Sequence, residues 1–261
     1  MLAYFQRALD EARDDSPATH RRAMIVLLSA PFLLTARQYT FTSSGIAWFL
    51  KQLDAWLVAR GVDFGYHYPP DDRLIDLSCW TLGQIICYLA IPLLLVKFAI
   101  REPLKDYGLK IKGALSSAWI YAVMLALMLP LILVMARTKE FQATYPFYQP
   151  PRGEPLWPRF AVWQVLYGMQ FVSLEFFFRG YLIHGLKRTL GAYAILVSTI
   201  PYCMIHYGKP LPETLGSIFA GVILGYMSYT TRSVWLGAAL HIGVALSMDF
   251  SALWNEGFFV Y

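Results

Sequence analysis

Charge is what this chain has least of. Only 15% of its 261 residues are Asp, Glu, Lys or Arg, against about 25% in an ordinary soluble domain. Hydrophobic residues make up 57% and the mean hydropathy is +0.45, so too little polar surface is available to keep the folded chain in water. Cysteine is scarce as well. Cys79, Cys87 and Cys203 all lie in apolar stretches, with neither metal-ligand spacing nor a pairing pattern. They read as buried free thiols, which excludes a disulfide scaffold. The sequence contains no internal repeat and no low-complexity tract. No cleavable signal peptide is expected, because the first 22 residues are charged and mildly amphipathic with no apolar core before Arg21 and Arg22. H-E-x-x-H and G-x-S-x-G motifs are both missing, which removes the local signatures of a zincin and of a serine elbow. The net charge of +5 is spread over connecting segments, where it suits anionic lipid headgroups rather than nucleic acid.

What the chain has instead is a series of apolar runs near the ~20 residues needed to cross ~30 Å of hydrocarbon. Ala23–Ala36 is short for a span and must extend toward Ser44 or lie shallow. In Ile46–Val58, Phe49, Leu50, Leu53, Trp56 and Leu57 recur at helical spacing between Lys51, Gln52 and Asp54, which predicts an interfacial amphipathic helix. Leu77–Ile100 and Ala114–Ala136 are spans interrupted only by Pro92 and Pro130, which membrane helices tolerate. Phe160–Leu186, Ala192–Tyr207, Glu213–Tyr229 and Ser233–Leu253 follow. The expectation is an all-α, polytopic transmembrane bundle of six to eight membrane helices plus the interfacial one. Residues 1–113 form an N-terminal membrane part and 114–261 a core. Segments on the N-terminal side carry twelve Lys and Arg and those on the other side eight, which predicts an integral inner-membrane protein with a cytoplasmic N-terminus.

Glu175 and Arg179 break the apolar stretch LYGMQFVSLEFFFRGYLIHGL. A charge near the bilayer centre costs roughly 2.5–3.5 kcal/mol on insertion scales, and these two opposite charges share one helical face. A buried ion pair that fixes helix register would account for them alone. His206, ending AILVSTIPYCMIH, and His241, within SVWLGAALHIGVALSMD, add two imidazoles on separate apolar segments. A carboxylate and two imidazoles suit water activation and oxyanion stabilisation. The same set could hold a divalent metal with an open position, an alternative ranked below a cofactor-free site. Glu213 follows Pro212 at a helix start, where capping is the default reading. Gly221 and Gly225, with Gly216 a turn earlier, predict close helix packing.

These residues resemble the CAAX protease and bacteriocin-processing family of intramembrane glutamic peptidases, over roughly residues 160 to 253. The family pattern is Glu-Glu-x-x-x-Arg, then Phe-x-x-x-His, then His-x-x-x-Asn or Asp. LEFFFRG supplies Glu175 and Arg179, Tyr202-x-x-x-His206 matches with Tyr for Phe, and IFAGVILGYMSYTTRSVWLGAALH leads to His241. Leu174 stands where the family has its first Glu, and Ala245 where it has Asn or Asp. The resemblance implies an endopeptidase acting on a membrane-associated, prenylated or C-terminally processed protein near the inner half of the bilayer. In the family the second Glu pairs with the Arg, so with the first Glu absent the carboxylate base is read as Glu175 held by Arg179, after a helix rotation, or as Glu213, while His206 orients the water and His241 stabilises the tetrahedral intermediate. Glu213, Asp249 and Tyr202 are possible accessories, Asp249 lying two turns past His241. The alternative is a catalytically silent relative that binds substrate or assists a partner protease.

Overall fold

A computed structural model describes residues 14, 16–62, 73–111, 114–149 and 155–257. Helix α1 spans Pro17–Tyr39, longer than its apolar run. Its start is set by Ser16, whose side chain accepts from the Thr19 amide, and by proline in the first turn. Its polar first turns are paid for by protein contacts. Arg22 is buried, with Nε donating to the Gly185 carbonyl and Nη1 to Glu102 Oε1, each at 2.9 Å. Helix α2, Ser43–Val58, begins at Thr42, which accepts from the Gly45 amide, and turns 83° away from α1. It leaves Trp48, Phe49 and Trp56 exposed, as an interfacial helix would.

Helix α3 is Arg73–Ile100, with π-helical turns at Ile86–Ala90 and Leu95–Ile100 on either side of Pro92. Proline has no N–H to give to the α-helical ladder, and wider turns absorb that loss. Helix α4, Ala118–Met135, presents Leu127, Leu131, Leu133 and Val134 outward, an apolar surface fitted to lipid rather than water. The short α5, Lys139–Thr144, lies in the connection that follows.

The helix over 159–190, called α6, is the central pillar. It runs as Arg159–Glu175, continues as π turns through Phe176–His184, and closes with Gly185–Leu190. Every side chain from Ser173 to Leu186 is buried, and Phe176, Phe177, Phe178, Tyr181 and Ile183 anchor the largest apolar cluster. Helices α7 (Tyr193–Met204), α8 (Leu211–Thr231) and α9 (Trp235–Asn255) complete the bundle. Helix α6 packs on α3 and α9, α7 on α8, and α9 on α4.

A Cβ on Gly221 would lie 2.7 Å from Thr199 Cγ2, and one on Gly225 2.8 Å from Ile195 Cγ2. These two glycines therefore let α8 approach α7, whereas Gly216 faces open space and plays no part. At the other end of α8, the loop before α4 docks on the α8–α9 turn through the Leu109–Ser233 bridge. Gly108 has φ 81°, and a Cβ there would meet Val234 Cγ1 at 2.8 Å.

The all-helical membrane architecture stands, and the helices fall close to the expected runs. Among the described residues, three helices could cross a membrane by length and apolar composition, Arg73–Ile100, Leu115–Met135 and Trp235–Asn255, or four if α1 and α2 form one broken span. That is fewer than six to eight. Helix α7 has 12 residues, about 18 Å of helix at 1.5 Å per residue, short of the ~30 Å hydrocarbon core. Helix α6 exposes Val162, Val165 and Met169 in its first half, while Glu175 and Arg179 lie buried inside the bundle.

Candidate active site

Glu175 sits at the junction between the α-helical and π-helical parts of α6 and is 1% exposed. Arg179 follows one turn later, equally buried, with Nη1 3.3 Å from Glu175 Oε1. His241 reaches the same oxygen from α9, Nδ1 to Oε1 at 2.9 Å. None of these contacts is aligned as a good hydrogen bond, so charge and proximity hold the group together. A bare imidazole nitrogen facing a carboxylate oxygen at 2.9 Å would set two lone pairs against each other, which assigns the proton to Nδ1. The backbone of α9 leaves room for the carboxylate at Gly237, where a Cβ would overlap Glu175 Oε2.

The other nitrogen of His241, Nε2, lies 2.9 Å from the Tyr202 hydroxyl. With Nδ1 protonated, Nε2 accepts and Tyr202 donates. The Arg179 guanidinium carbon stands 3.9 Å above the Tyr202 ring, and Phe171 stacks on His241 at 5.5 Å between ring centroids. His206 lies just past the end of α7, its Nδ1 2.7 Å from the Tyr202 carbonyl. That backbone contact places a proton on Nδ1 and leaves Nε2 with a free lone pair.

A cavity of about 360 Å³ opens between α4, α6, α7, α8 and α9. His206, His241, Tyr202, Tyr145, Lys209 and Glu213 line it, together with Leu174, Ala245 and many apolar side chains. The structure thus brings both imidazoles to one space. Glu175 and Arg179 do not line it: they lie behind His241, and the cavity-facing neighbour on α6 is Leu174. Adjacent helical residues point about 100° apart, so Glu175 cannot reach the cavity that Leu174 faces. The expectation that Glu175 meets water directly is therefore corrected. Its carboxylate touches the cavity only through His241.

Glu213 is the carboxylate that does line the cavity. It accepts from the Tyr145 hydroxyl at 3.0 and 2.9 Å and from Lys209, four residues earlier in the turn that precedes α8. The four-residue spacing of Lys209 and Glu213 was a signal available in the sequence, although Lys209 precedes the helix that begins at Leu211. Tyr145 gave no such signal, because it comes from the aromatic connection after α5 and only the fold brings it here. Burial pushes its phenol well above the ordinary tyrosine range, and the Glu213 carboxylate adds to that.

Asp249 stands elsewhere. It is fully buried and accepts from Trp163 Nε1, Gln164 Nε2 and the Phe147 amide at 3.2, 2.8 and 3.3 Å. It ties the 145–149 connection to α6 and α9 and does not replace the polar side chain absent at Ala245. Among the described residues, no three His, Cys, Asp or Glu side chains form a group that could hold a metal ion.

The charged part of the cavity lining lies with Tyr145, Lys209 and Glu213. This is the opposite end of the bundle from the contacts of Arg22 and Arg188 with Glu102.

No curated protein and no solved structure matches the chain. A family model described as type II CAAX prenyl endopeptidase Rce1-like matches residues 156–247. This stretch runs from the start of α6 into α9 and contains Glu175, Arg179, Tyr202, His206, Glu213 and His241, but not Asp249 or Tyr145. Over residues 156–247, then, the chain is similar to the Rce1-like family, the group its motifs resembled.

Proposed function

We propose that the protein is an intramembrane endopeptidase that hydrolyses a peptide bond of a membrane-associated protein, prenylated or otherwise processed near its C-terminus. The single observation that carries this reading is the convergence of His206 and His241 on one membrane-embedded cavity, with His241 backed by Glu175 and Arg179. His206 Nε2 accepts a hydrogen bond from the water and orients it. Glu175 acts through the imidazole of His241, which becomes positively charged as it takes a proton and so stabilises the tetrahedral intermediate. Glu213, with Lys209 and Tyr145, forms the charged part of the cavity lining, which takes a polar end of the substrate. The apolar lining suits a substrate delivered from the bilayer. The cytoplasmic N-terminus and inner-membrane location inferred from the basic residues belong to the same proposal.

Purified protein in proteoliposomes should cleave a membrane-tethered peptide, prenylated or plain. Glu175→Gln should abolish turnover, and His206→Ala should reduce it severely. Turnover that survives Glu175→Gln but not Glu213→Gln would move the base to Glu213.

A second reading is favoured by one observation: Leu174 lines the cavity where the family pattern has a carboxylate. On that reading the chain is a silent relative that binds a membrane protein segment or assists a partner protease. Saturable binding of the tethered peptide, with no cleavage under any condition that keeps the protein folded, would establish it.

A further inference from the structure

Tyr202 stands where the family pattern has Phe, so its hydroxyl is an addition of this chain rather than part of the inherited motif. That hydroxyl occupies the one nitrogen through which the Glu175–His241 pair can act outward. Nδ1 faces Glu175 at 2.9 Å, and Nε2 is covered by Tyr202 Oη at 2.9 Å. Glu175 is sealed from the cavity, while Tyr202 and His241 line it. The base strength of the buried carboxylate therefore has one route to a water molecule, along Oη–H and Nε2. The remaining contacts suit this route. Arg179, 3.9 Å from the centre of the Tyr202 ring and 3.3 Å from Glu175, offsets negative charge on the phenol oxygen while keeping Glu175 ionised. His206 packs edge-on against the same ring, 4.7 Å between centroids, and lines the same cavity.

We propose that the Tyr202 hydroxyl is a catalytic proton relay between the attacking water and the His241–Glu175 pair. The proposal rests on the hydrolytic reading above. One O–H of the water points at His206 Nε2, and the other at Tyr202 Oη. As the water oxygen bonds to the carbonyl carbon, its second O–H breaks and that proton joins Oη. The proton that Oη held moves to His241 Nε2, and the carbonyl π pair becomes the oxyanion lone pair. His241 is then an imidazolium between Glu175 and the phenol. On collapse the C=O bond re-forms and the C–N bond breaks. The Nε2 proton returns to Oη as the Oη proton passes to the leaving nitrogen. An acid and an amine result, and every enzyme group returns to its starting state. The arrangement compensates for Leu174: a phenol coupled to a buried imidazole–carboxylate pair replaces a carboxylate facing the water.

Tyr202→Phe removes only the oxygen and restores the family residue, so the ring packing against Arg179, Phe178 and His206 is kept. The experiment compares the wild type with Tyr202→Phe in proteoliposomes on one membrane-tethered peptide. It records kcat, KM and the solvent deuterium isotope effect, and reads the His241 Nε2 signal by nitrogen-15 NMR of histidine-labelled protein. The expected result is a fall in kcat of about 10²-fold or more, the scale of a lost acid–base group, with KM unchanged and a displaced Nε2 signal. A relay also predicts that fluorotyrosine at position 202, whose phenol is more acidic, restores turnover and shifts the pH profile, which a merely structural hydroxyl would not do. Cleavage by Tyr202→Phe within about threefold of wild type, or an unmoved Nε2 signal, overturns the relay and leaves the hydrolytic reading standing. Absence of cleavage by folded wild-type protein overturns both.

Discussion

At the scale of single residues, the decisive contrast is between Leu174 and Glu175. They are neighbours on α6, yet one lines the cavity and the other is sealed behind His241. An ion pair this deeply buried is costly to break from one side. Arg179→Met should destabilise the protein by about 3–5 kcal/mol, because it leaves the Glu175 carboxylate without its cation. The double variant Glu175→Gln with Arg179→Met should recover much of that loss, since no bare charge remains. Denaturation in detergent micelles reads both. Gly237→Ala tests the seat of the carboxylate. A methyl there collides with Glu175 Oε2, so turnover should fall much more than stability, and the Glu175–His241 contact should lengthen.

At the scale of elements, the close crossing of α7 and α8 was readable and polar networks were not. The beginning of α1 is a local device: Ser16 caps it, and Asp14 accepts from the Ser16 amide and the Thr19 hydroxyl at 3.0 and 2.6 Å. Those bonds, the Thr19 hydroxyl foremost, hold the exposed Asp14 carboxyl down at about 2 from its ordinary 3.8. A depressed carboxyl supports the folded helix start fully above the ordinary value, and that support is lost as pH falls through about 2. NMR titration should find Asp14 near 2, and Thr19→Val should raise it toward 3.8. The α7–α8 crossing gives a second expectation. Gly225→Leu forces a side chain into Ile195 and Ile183 and should cost about 1–3 kcal/mol, as overpacking does. The spacing of Gly221 and Gly225 announced that contact. Nothing in the spacing announced that Asp249 would be spent on Trp163, Gln164 and the Phe147 amide, because those partners come from two other parts of the chain.

At the scale of the whole molecule, the two ends of the bundle sort the basic residues. Arg22, Glu102 and Arg188 meet at one end, where the Leu109–Ser233 bridge joins loops that the charge distribution also placed together. Tyr145, Lys209 and Glu213 meet at the other. Cysteines placed singly at Lys110 and Glu140, with the native thiols blocked, should therefore react with an impermeant reagent from opposite sides of sealed vesicles. Reaction of both from the same side would contradict this arrangement.

Composition and apolar spacing by themselves determined that the chain is an all-helical membrane protein, where its helices run, and which charged and imidazole side chains stand out. Those properties depend on each segment's own transfer to lipid and on spacing within a helix. Tertiary packing alone decided which of these groups meet. The turn that separates Leu174 from Glu175, the approach of α9 permitted by Gly237, and the arrival of Tyr145 from a distant connection depend on how helices rotate and pack against one another. So does the capture of His241 between a carboxylate and a phenol, which no single stretch of sequence contains.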